Sequence, residues 1–223
     1  FFCSGMPMSG ESIPSGKAIG GSESAAIQMA LTLVKRGHRP IIFCNTEQAH
    51  NRDGVTYIPI GWVQQPNGGT FPKGFLDYAR STPHDLLIVM RIPGVMSWEF
   101  KSKVNFLWQH DLATKTGPSN FHPTCWNTDR ILVISEFMKR QYKQVYGGPD
   151  ELYHVTRNGI DLEMIDAVPN QERDRYKIMF TARPERGLDI MLREVLPRIL
   201  AREPKAQLYI SRYDDVATLP LYE

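Results

Sequence analysis

A pair of glycines between an apolar run and an amphipathic segment is the feature that most constrains the fold of this chain. Residues 1–3 are apolar and predict a strand, which leads through a long loop to Gly20-Gly21. Apolar residues then recur at helical spacing: Ile27, Ala30, Leu31 and Val34. Gly37 is a helix stop signal, and residues 40–44 predict a second strand. The chain therefore begins with a β-α-β unit.

The glycine loop is open to two interpretations. Glycines let a backbone approach a ligand closely, and Ser22 is placed to cap a helix whose first N–H groups would bind an anion such as phosphate. Alternatively, the glycines only form the turn that starts the helix. The spacing is neither the G-x-G-x-x-G of a dinucleotide fold nor a Walker loop, so the loop alone does not decide between them.

Further apolar runs alternate with amphipathic segments along the next hundred residues. Strands are predicted over residues 55–60, 85–90, 104–108, 131–134 and 152–155, and helices over 71–80 and 135–146. Ser135 is the expected N-cap of the second of these helices, and Gly147 its stop. Continuous apolar strands interleaved with helices predict an α/β fold with a parallel sheet covered by helices.

A second β-α-β pattern follows a polar stretch, 162–174, that contains Pro169. It consists of a strand over 176–181, a loop over 183–187, a helix over 188–202 and a strand over 206–210. We therefore expect one domain over residues 1–168 and the start of another over 169–223. Two strands and one helix do not form a closed core, so this second domain is expected to be incomplete.

Composition excludes several classes of protein. The 223 residues carry a formal net charge of +2 without a concentrated basic run, which argues against nucleic acid as a partner. No apolar run is long enough to span a bilayer. The three cysteines, Cys3, Cys44 and Cys125, form no CxxC pair and are interpreted as reduced thiols of a cytoplasmic protein, two of them in buried strands.

Two further features follow predicted strands, where open α/β sheets bind their ligands. The first is His110-Asp111, after the strand over 104–108; His110 would exchange a proton with a ligand or, alternatively, hold a loop. The second is the loop from Arg183 to Gly187, where Arg183 and Arg186 precede a helix. Two guanidinium groups at a helix N-terminus suit a diphosphate, although a solvated loop neutralised by Glu185 is the alternative.

Taken together, these segments resemble family 4 glycosyltransferases, the retaining GT-B enzymes. The resemblance covers nearly the whole chain and rests on five segments in the family's order. They are Gly20-Gly21-Ser22-Glu23 with Arg36-Gly37-His38, then Trp108-Gln109-His110-Asp111, then 133–139 with Tyr146-Gly147, then Arg157-Asn158-Gly159-Ile160-Asp161, and finally 181–189. The implied fold is a Rossmann-like GT-B N-terminal domain followed by part of the C-terminal domain.

The resemblance implies transfer of a sugar from a nucleotide-sugar donor to an acceptor with retention of anomeric configuration. His110 would face the transferred sugar, and Arg183 and Arg186 would hold the diphosphate and stabilise its charge as it leaves. The other residues implied in donor or acceptor binding are Gly20, Gly21, Glu23, Asp111 and Asn158. No cofactor and no metal is implied, because cationic side chains and a helix dipole would replace a metal.

The sequence departs from the family in one respect and leaves other readings open. The family's Glu-x7-Glu segment, which grips the donor, has no counterpart in residues 188–223. One alternative is a sugar- or nucleotide-binding module without activity. Another is a dinucleotide-dependent oxidoreductase, although the G-x-G-x-x-G fingerprint of such enzymes is absent from this sequence. The expected acceptor is a sugar, a lipid-linked sugar or a protein. Lys139-Arg140 with Lys143 would serve a peripheral membrane contact or, in the simpler interpretation, a solvated helix face.

Overall fold

The computed structural model describes residues 1–13, 15, 19–113, 127–169 and 172–211. Cys125 lies outside these residues. The chain forms two compact units, Phe1–Ile160 and Asp161–Glu223, and each is described by itself.

The first unit is an α/β layer structure. Its helices are α1 (Gly21–Lys35), α2 (Lys73–Ser81) and α3 (Glu136–Tyr146). Its strands are β1 (Phe2–Cys3), β2 (Ile41–Cys44), β3 (His50–Arg52), β4 (Val55–Pro59), β5 (Trp62–Gln64), β6 (Thr70–Pro72), β7 (His84–Met90), β8 (Ser102–Trp108), β9 (Arg130–Val133) and β10 (Tyr153–Val155). Short 3₁₀ turns over Pro93–Ser97 and Asp150–Leu152 complete it.

The main sheet of the described residues has the order β10-β9-β8-β7-β1-β2-β4-β3. Every neighbouring pair is parallel except β3 with β4. The α/β fold and the parallel sheet predicted from the sequence are confirmed. The short β3 and the separate antiparallel hairpin β5–β6 are additions that the apolar pattern did not predict.

Alternate residues of each strand point to opposite faces of the sheet, and both faces are covered. Phe2, Val89 and Leu107 contribute to the core that includes residues of α2 and α3, whereas Cys3 and Trp108 contribute to the core that includes residues of α1. This two-sided burial explains why the central strands read as continuous apolar runs. Cys3 and Cys44 are free thiols within these buried strands: burial raises the pKa of both to about 12, so neither is a thiolate at neutral pH.

Several local predictions need correction. Helix α1 begins at Gly21 with Gly20 as its N-cap, so Ser22 lies inside the first turn and does not cap the helix. Helix α2 begins at Lys73, because residues 71 and 72 pair within the β5–β6 hairpin. Phe137, expected to contact the core from α3, is 60% exposed, since it lies on the side of the helix turned from the sheet. Leu86 at the start of β7 is also exposed.

Other local predictions are confirmed. The Ser135 hydroxyl accepts a hydrogen bond of 3.1 Å from the Met138 N–H and caps α3. Gly147 ends α3 with a φ of 72°, a conformation that favours glycine.

The second unit contains α4 (Leu162–Asp166), β11 (Lys177–Phe180), a 3₁₀ turn over Pro184–Arg186, a helical run over 188–202 that we call α5, and β12 (Gln207–Ile210). Strands β11 and β12 pair in parallel, as the β-α-β pattern predicted. The polar stretch over residues 162–174 contains α4, which Asp161 caps by accepting a 3.0 Å bond from the Met164 N–H. Helix α5 includes a π turn over Met191–Val195.

Candidate functional site

The strand order reverses between β1 and β7, two neighbouring strands at the centre of the sheet. From β1 the chain passes through α1 to β2 on one side, and after β4 it returns to β7 on the other side of β1. Open α/β sheets bind ligands where the strand order reverses in this way. Three parts of the chain follow strands at or beside this reversal. They are the loop after β1, the residue after β7, and His110-Asp111 after β8.

The N-terminus of α1 is one wall of this region. Gly20 is extended, with φ −67° and ψ 153°, and no side chain caps the helix. The first N–H groups of α1 therefore have no side-chain acceptor, which is the property that suits a helix N-terminus to an anion. A Cβ on Gly21 would meet no atom within 4 Å, so the space beside Gly21 is open to a ligand.

Glu23, in the first turn of α1, is buried at 2% exposure. Its Oε1 accepts a hydrogen bond of 2.9 Å from the Met6 N–H. A Cβ on either Gly5 or Gly20 would overlap this carboxylate, so a larger residue at either position would displace Glu23. Gly20 is thus explained by its contact with Glu23, and Glu23 holds the loop after β1 against the start of α1.

His110 lies at the carboxyl end of β8, half-buried beside the Trp108 ring, with the ring centroids 4.9 Å apart. Its Nε2 is buried and has no hydrogen-bond partner among the described residues. Burial lowers the pKa of His110 and the Arg91 guanidinium lowers it further, while Asp111 and Glu23 act in the opposite direction. The net pKa is below the usual value, so His110 is a neutral imidazole at pH 7 with one nitrogen free to bond a ligand.

Asp111 is paired with Arg91, a residue that the sequence analysis did not single out. The Asp111 carboxylate accepts a bond of 2.7 Å from Arg91 Nε, and the Asp111 carbonyl oxygen accepts one of 3.0 Å from the Tyr142 hydroxyl. Arg91 has a φ of 63°, which is uncommon for a residue with a side chain, and its N–H donates to the Trp108 carbonyl at 3.0 Å. Its position directly after the apolar strand over 85–90 is the sequence signal that could have found it.

Asn158 is exposed and lies three residues beyond the end of β10. Because β9 separates β10 from β8, Asn158 and His110 follow strands about 10 Å apart. Arg157 beside it has a φ of 62°. The structure brings Glu23, Asp111 and His110 to one region with Arg91, and it places Asn158 at the outer strand of the same edge.

Arg183 and Arg186 lie in the second unit, between β11 and α5. Arg183 Nε donates to Glu185 Oε1 at 2.6 Å, so the guanidinium is paired in the way the solvated-loop alternative anticipated. A bond from its own backbone N–H and the Arg183 guanidinium hold the pKa of the Glu185 carboxyl below its usual value. Arg186 has no ion-pair partner among the described residues. Gly187, with a φ of 101°, makes the turn into α5.

Comparison with known proteins decides the family. The family model described as Glycosyltransferase Family 4 matches residues 19–164 of the chain. The chain belongs to this family. It therefore has a glycosyltransferase-like function, and the family resemblance seen in the sequence is confirmed. No curated protein matches the chain.

The family match covers the candidate residues of the first unit and not those of the second. Gly20, Glu23, Arg91, His110 and Asn158 all lie within the matched residues, whereas Arg183 and Arg186 lie beyond them. The assignment of the two arginines to the donor thus rests on the resemblance of residues 181–189 and remains a prediction. Within the described ranges, no helix is both long and apolar enough to cross a membrane, and no three His, Cys, Asp or Glu side chains are grouped to hold a metal ion.

Proposed function

We propose that the chain transfers a sugar from a nucleotide-sugar donor to an acceptor with retention of anomeric configuration. The observation that carries the proposal is His110, whose buried Nε2 has no partner among the described residues. Glu23, in the first turn of α1, and the Arg91–Asp111 pair all lie close enough to His110 to act on its charge. A neutral imidazole with a free nitrogen is suited to bond a sugar hydroxyl, since it adds no charge to a site that must accept a neutral ring.

In this proposal the first unit binds the acceptor and contributes His110, while Arg183 and Arg186 hold the donor diphosphate. Charge develops on the diphosphate as the sugar leaves, and two permanently charged guanidinium groups stabilise that charge without a metal ion. The diphosphate would compete with Glu185 for Arg183, and its greater negative charge favours the exchange. Gly21 leaves open space at the start of α1, where a phosphate or an acceptor hydroxyl would meet unpaired N–H groups.

The first experiment is a calorimetric titration of the chain with UDP, GDP and ADP. We expect saturable binding of one nucleotide, weakened at least about tenfold in Arg183→Ala because a charge-assisted contact to the diphosphate is lost. Arg193→Ala is the matched control, since Arg193 is an exposed arginine of the same unit. Equal affinity in wild type and Arg183→Ala would contradict the placement of the diphosphate at this loop.

The second experiment separates a transferase from a binding module. The nucleotide that binds is supplied as its sugar conjugate with an acceptor panel, and the product's anomeric configuration is read by NMR. Transfer with retention, lost in His110→Ala, supports the proposal. Nucleotide binding without turnover would instead favour a non-catalytic module.

A further inference from the structure

The β5–β6 hairpin is an exposed surface element without charge. Every residue from Gly61 to Thr70 is exposed, and none of residues 61–72 is Asp, Glu, Lys or Arg. In this chain 22% of residues are charged, so a stretch of that length would on average carry two or three. An exposed segment that avoids charge but keeps amides and hydroxyls matches a neutral polar ligand better than an ionic one.

The base of the hairpin is held firmly by backbone contacts. The Gly74 N–H donates to the Gly61 carbonyl at 3.1 Å, and the Phe75 N–H donates to the Ile60 carbonyl at 2.9 Å. A Cβ on Gly61 would come within 2.9 Å of Gly74 Cα, and one on Gly74 within 2.9 Å of the Ile60 carbonyl oxygen. The hairpin therefore leaves the carboxyl end of β4 in one orientation, set by two glycines in close contact.

The two faces of the hairpin differ in what they contact. Side chains alternate along a strand and directly paired residues share a face, and the register pairs Gln64 with Thr70 and Val63 with Phe71. Phe71 packs edge-on against Trp98, with ring centroids 5.4 Å apart, while Val63 on the same face is 45% exposed. The opposite face carries an indole, an amide and a hydroxyl: Trp62, Gln64 and Thr70.

Trp62 is fixed while part of its ring stays in solvent. The side chain is 40% exposed, its Nε1–H donates to Asn45 Oδ1 at 3.0 Å, and its ring meets Phe2 edge-on at 6.4 Å. Asn45 in turn donates from Nδ2 to the Gly5 carbonyl at 2.7 Å, in the loop that Glu23 holds. The indole thus stands beside the loop after β1, at the same edge of the sheet as the candidate site.

We infer that the face formed by Trp62, Gln64 and Thr70 is a binding subsite for a neutral sugar unit of the acceptor. This inference rests on the proposed function for the role of the sugar as acceptor. The C–H face of a pyranose packs on the exposed indole, and its hydroxyls bond the Gln64 amide and the Thr70 hydroxyl, neither of which has a side-chain hydrogen bond among the described residues. Because the indole is already fixed by Asn45 and Phe2, little side-chain entropy is lost on binding.

The test is ligand-observed NMR and tryptophan fluorescence on the full chain with three neutral disaccharides, maltose, cellobiose and α-1,2-mannobiose. We expect at least one to bind in the millimolar range, with affinity about tenfold weaker in Trp62→Ala and within about threefold of wild type in Trp62→Phe, which keeps an aromatic face. Phe137→Ala is the control, because Phe137 is an exposed aromatic on α3. Circular dichroism checks that each variant is folded.

Three results would overturn the inference. They are no binding of any disaccharide up to about 10 mM, unchanged affinity in Trp62→Ala, and quenching of Trp62 by UDP, GDP or ADP in place of the sugars, which would make the indole a base-stacking residue. Failure here is distinguishable from failure of the proposed function. Nucleotide binding that depends on Arg183 and retaining transfer are measured without Trp62 variants and would stand if the disaccharide tests failed.

Discussion

Alanine substitution at two neighbouring glycines is expected to change stability in opposite directions. Gly20 is extended, with φ −67° and ψ 153°, so alanine there brings no backbone strain. Its Cβ, however, would overlap the Glu23 carboxylate, which is buried at 2% exposure and bonded to the Met6 N–H. Gly21 is the first helical residue, and a Cβ there meets nothing within 4 Å.

The cost of Gly20→Ala has two parts. Displacing the Glu23 carboxylate leaves the Met6 N–H without its acceptor, which costs about 1–3 kcal/mol. Alanine is also a poorer N-cap than glycine, by about 1 kcal/mol. The free energy of unfolding of the first unit should therefore fall by about 2–4 kcal/mol. Gly21→Ala should be neutral or raise it by up to about 1 kcal/mol, since alanine favours the helix.

Urea denaturation followed by tryptophan fluorescence measures this difference. All four tryptophans lie within residues 1–160, so the signal reports the first unit. In a Glu23→Ala background, Gly20→Ala should cost only the cap contribution of about 1 kcal/mol, because the overlap is gone. Equal urea midpoints for the two glycine variants, or an unchanged cost in the Glu23→Ala background, would refute the reasoning.

Three further predictions concern the N-terminal residues of α3 and α1 and the titration of His110. Ser135→Ala should lower the free energy of unfolding by about 1 kcal/mol, because it removes the acceptor of the Met138 N–H. Ser22→Ala removes no cap and should change the free energy of unfolding by less than about 0.5 kcal/mol. Equal effects of the two substitutions in urea denaturation would contradict the capping assignment. The pKa of His110 in the folded state lies below its unfolded value of 6.5, so the unfolded state binds more protons. The stability that neutral His110 contributes is therefore fully present above pH 6.5 and is lost as the pH falls through the folded-state pKa. His110→Asn should therefore flatten the dependence of the urea midpoint on pH in this range. In NMR titrations Arg91→Met should raise the pKa of His110, and Arg80→Met, on the exposed side of α2, should leave it unchanged; a pKa unmoved by Arg91→Met would exclude the electrostatic contact.

Most of the regular elements could be predicted because their signals are local or periodic. The strands at the centre of the sheet are apolar runs buried on both faces, and α3 has Ser135 at one end and Gly147 at the other, each acting within a few residues. Asn67-Gly68, between β5 and β6, is a hairpin signal in the sequence, yet the flanking residues show no clear alternation of apolar and polar side chains. The hairpin was missed for that reason, and with it the pairing that places Trp62 and Gln64 on one face.

The sequence could also indicate the candidate site in outline but not its contacts. Residues that follow strands of a parallel sheet gather at one edge of that sheet, which is why Gly20 and His110 could be selected from the chain alone, and Arg183 likewise within the second unit. The order of the strands within the sheet does not follow from these local signals. The strand order reverses between β1 and β7 because the chain crosses from β4 to the far side of β1, and Arg91 lies near the other candidate residues only through that crossing.

The sequence by itself determined the α/β class, the parallel sheet and the family, and it indicated candidate loops for the site, because these follow from periodicity and short motifs. Only the tertiary structure decided that Glu23 holds the loop after β1, that Asp111 pairs with Arg91, and that Trp62 is fixed by Asn45 beside that loop. Each of these contacts joins residues 17 or 20 positions apart in the chain. A side chain's local pattern is the same whether or not such a distant partner exists, so no local pattern could reveal them.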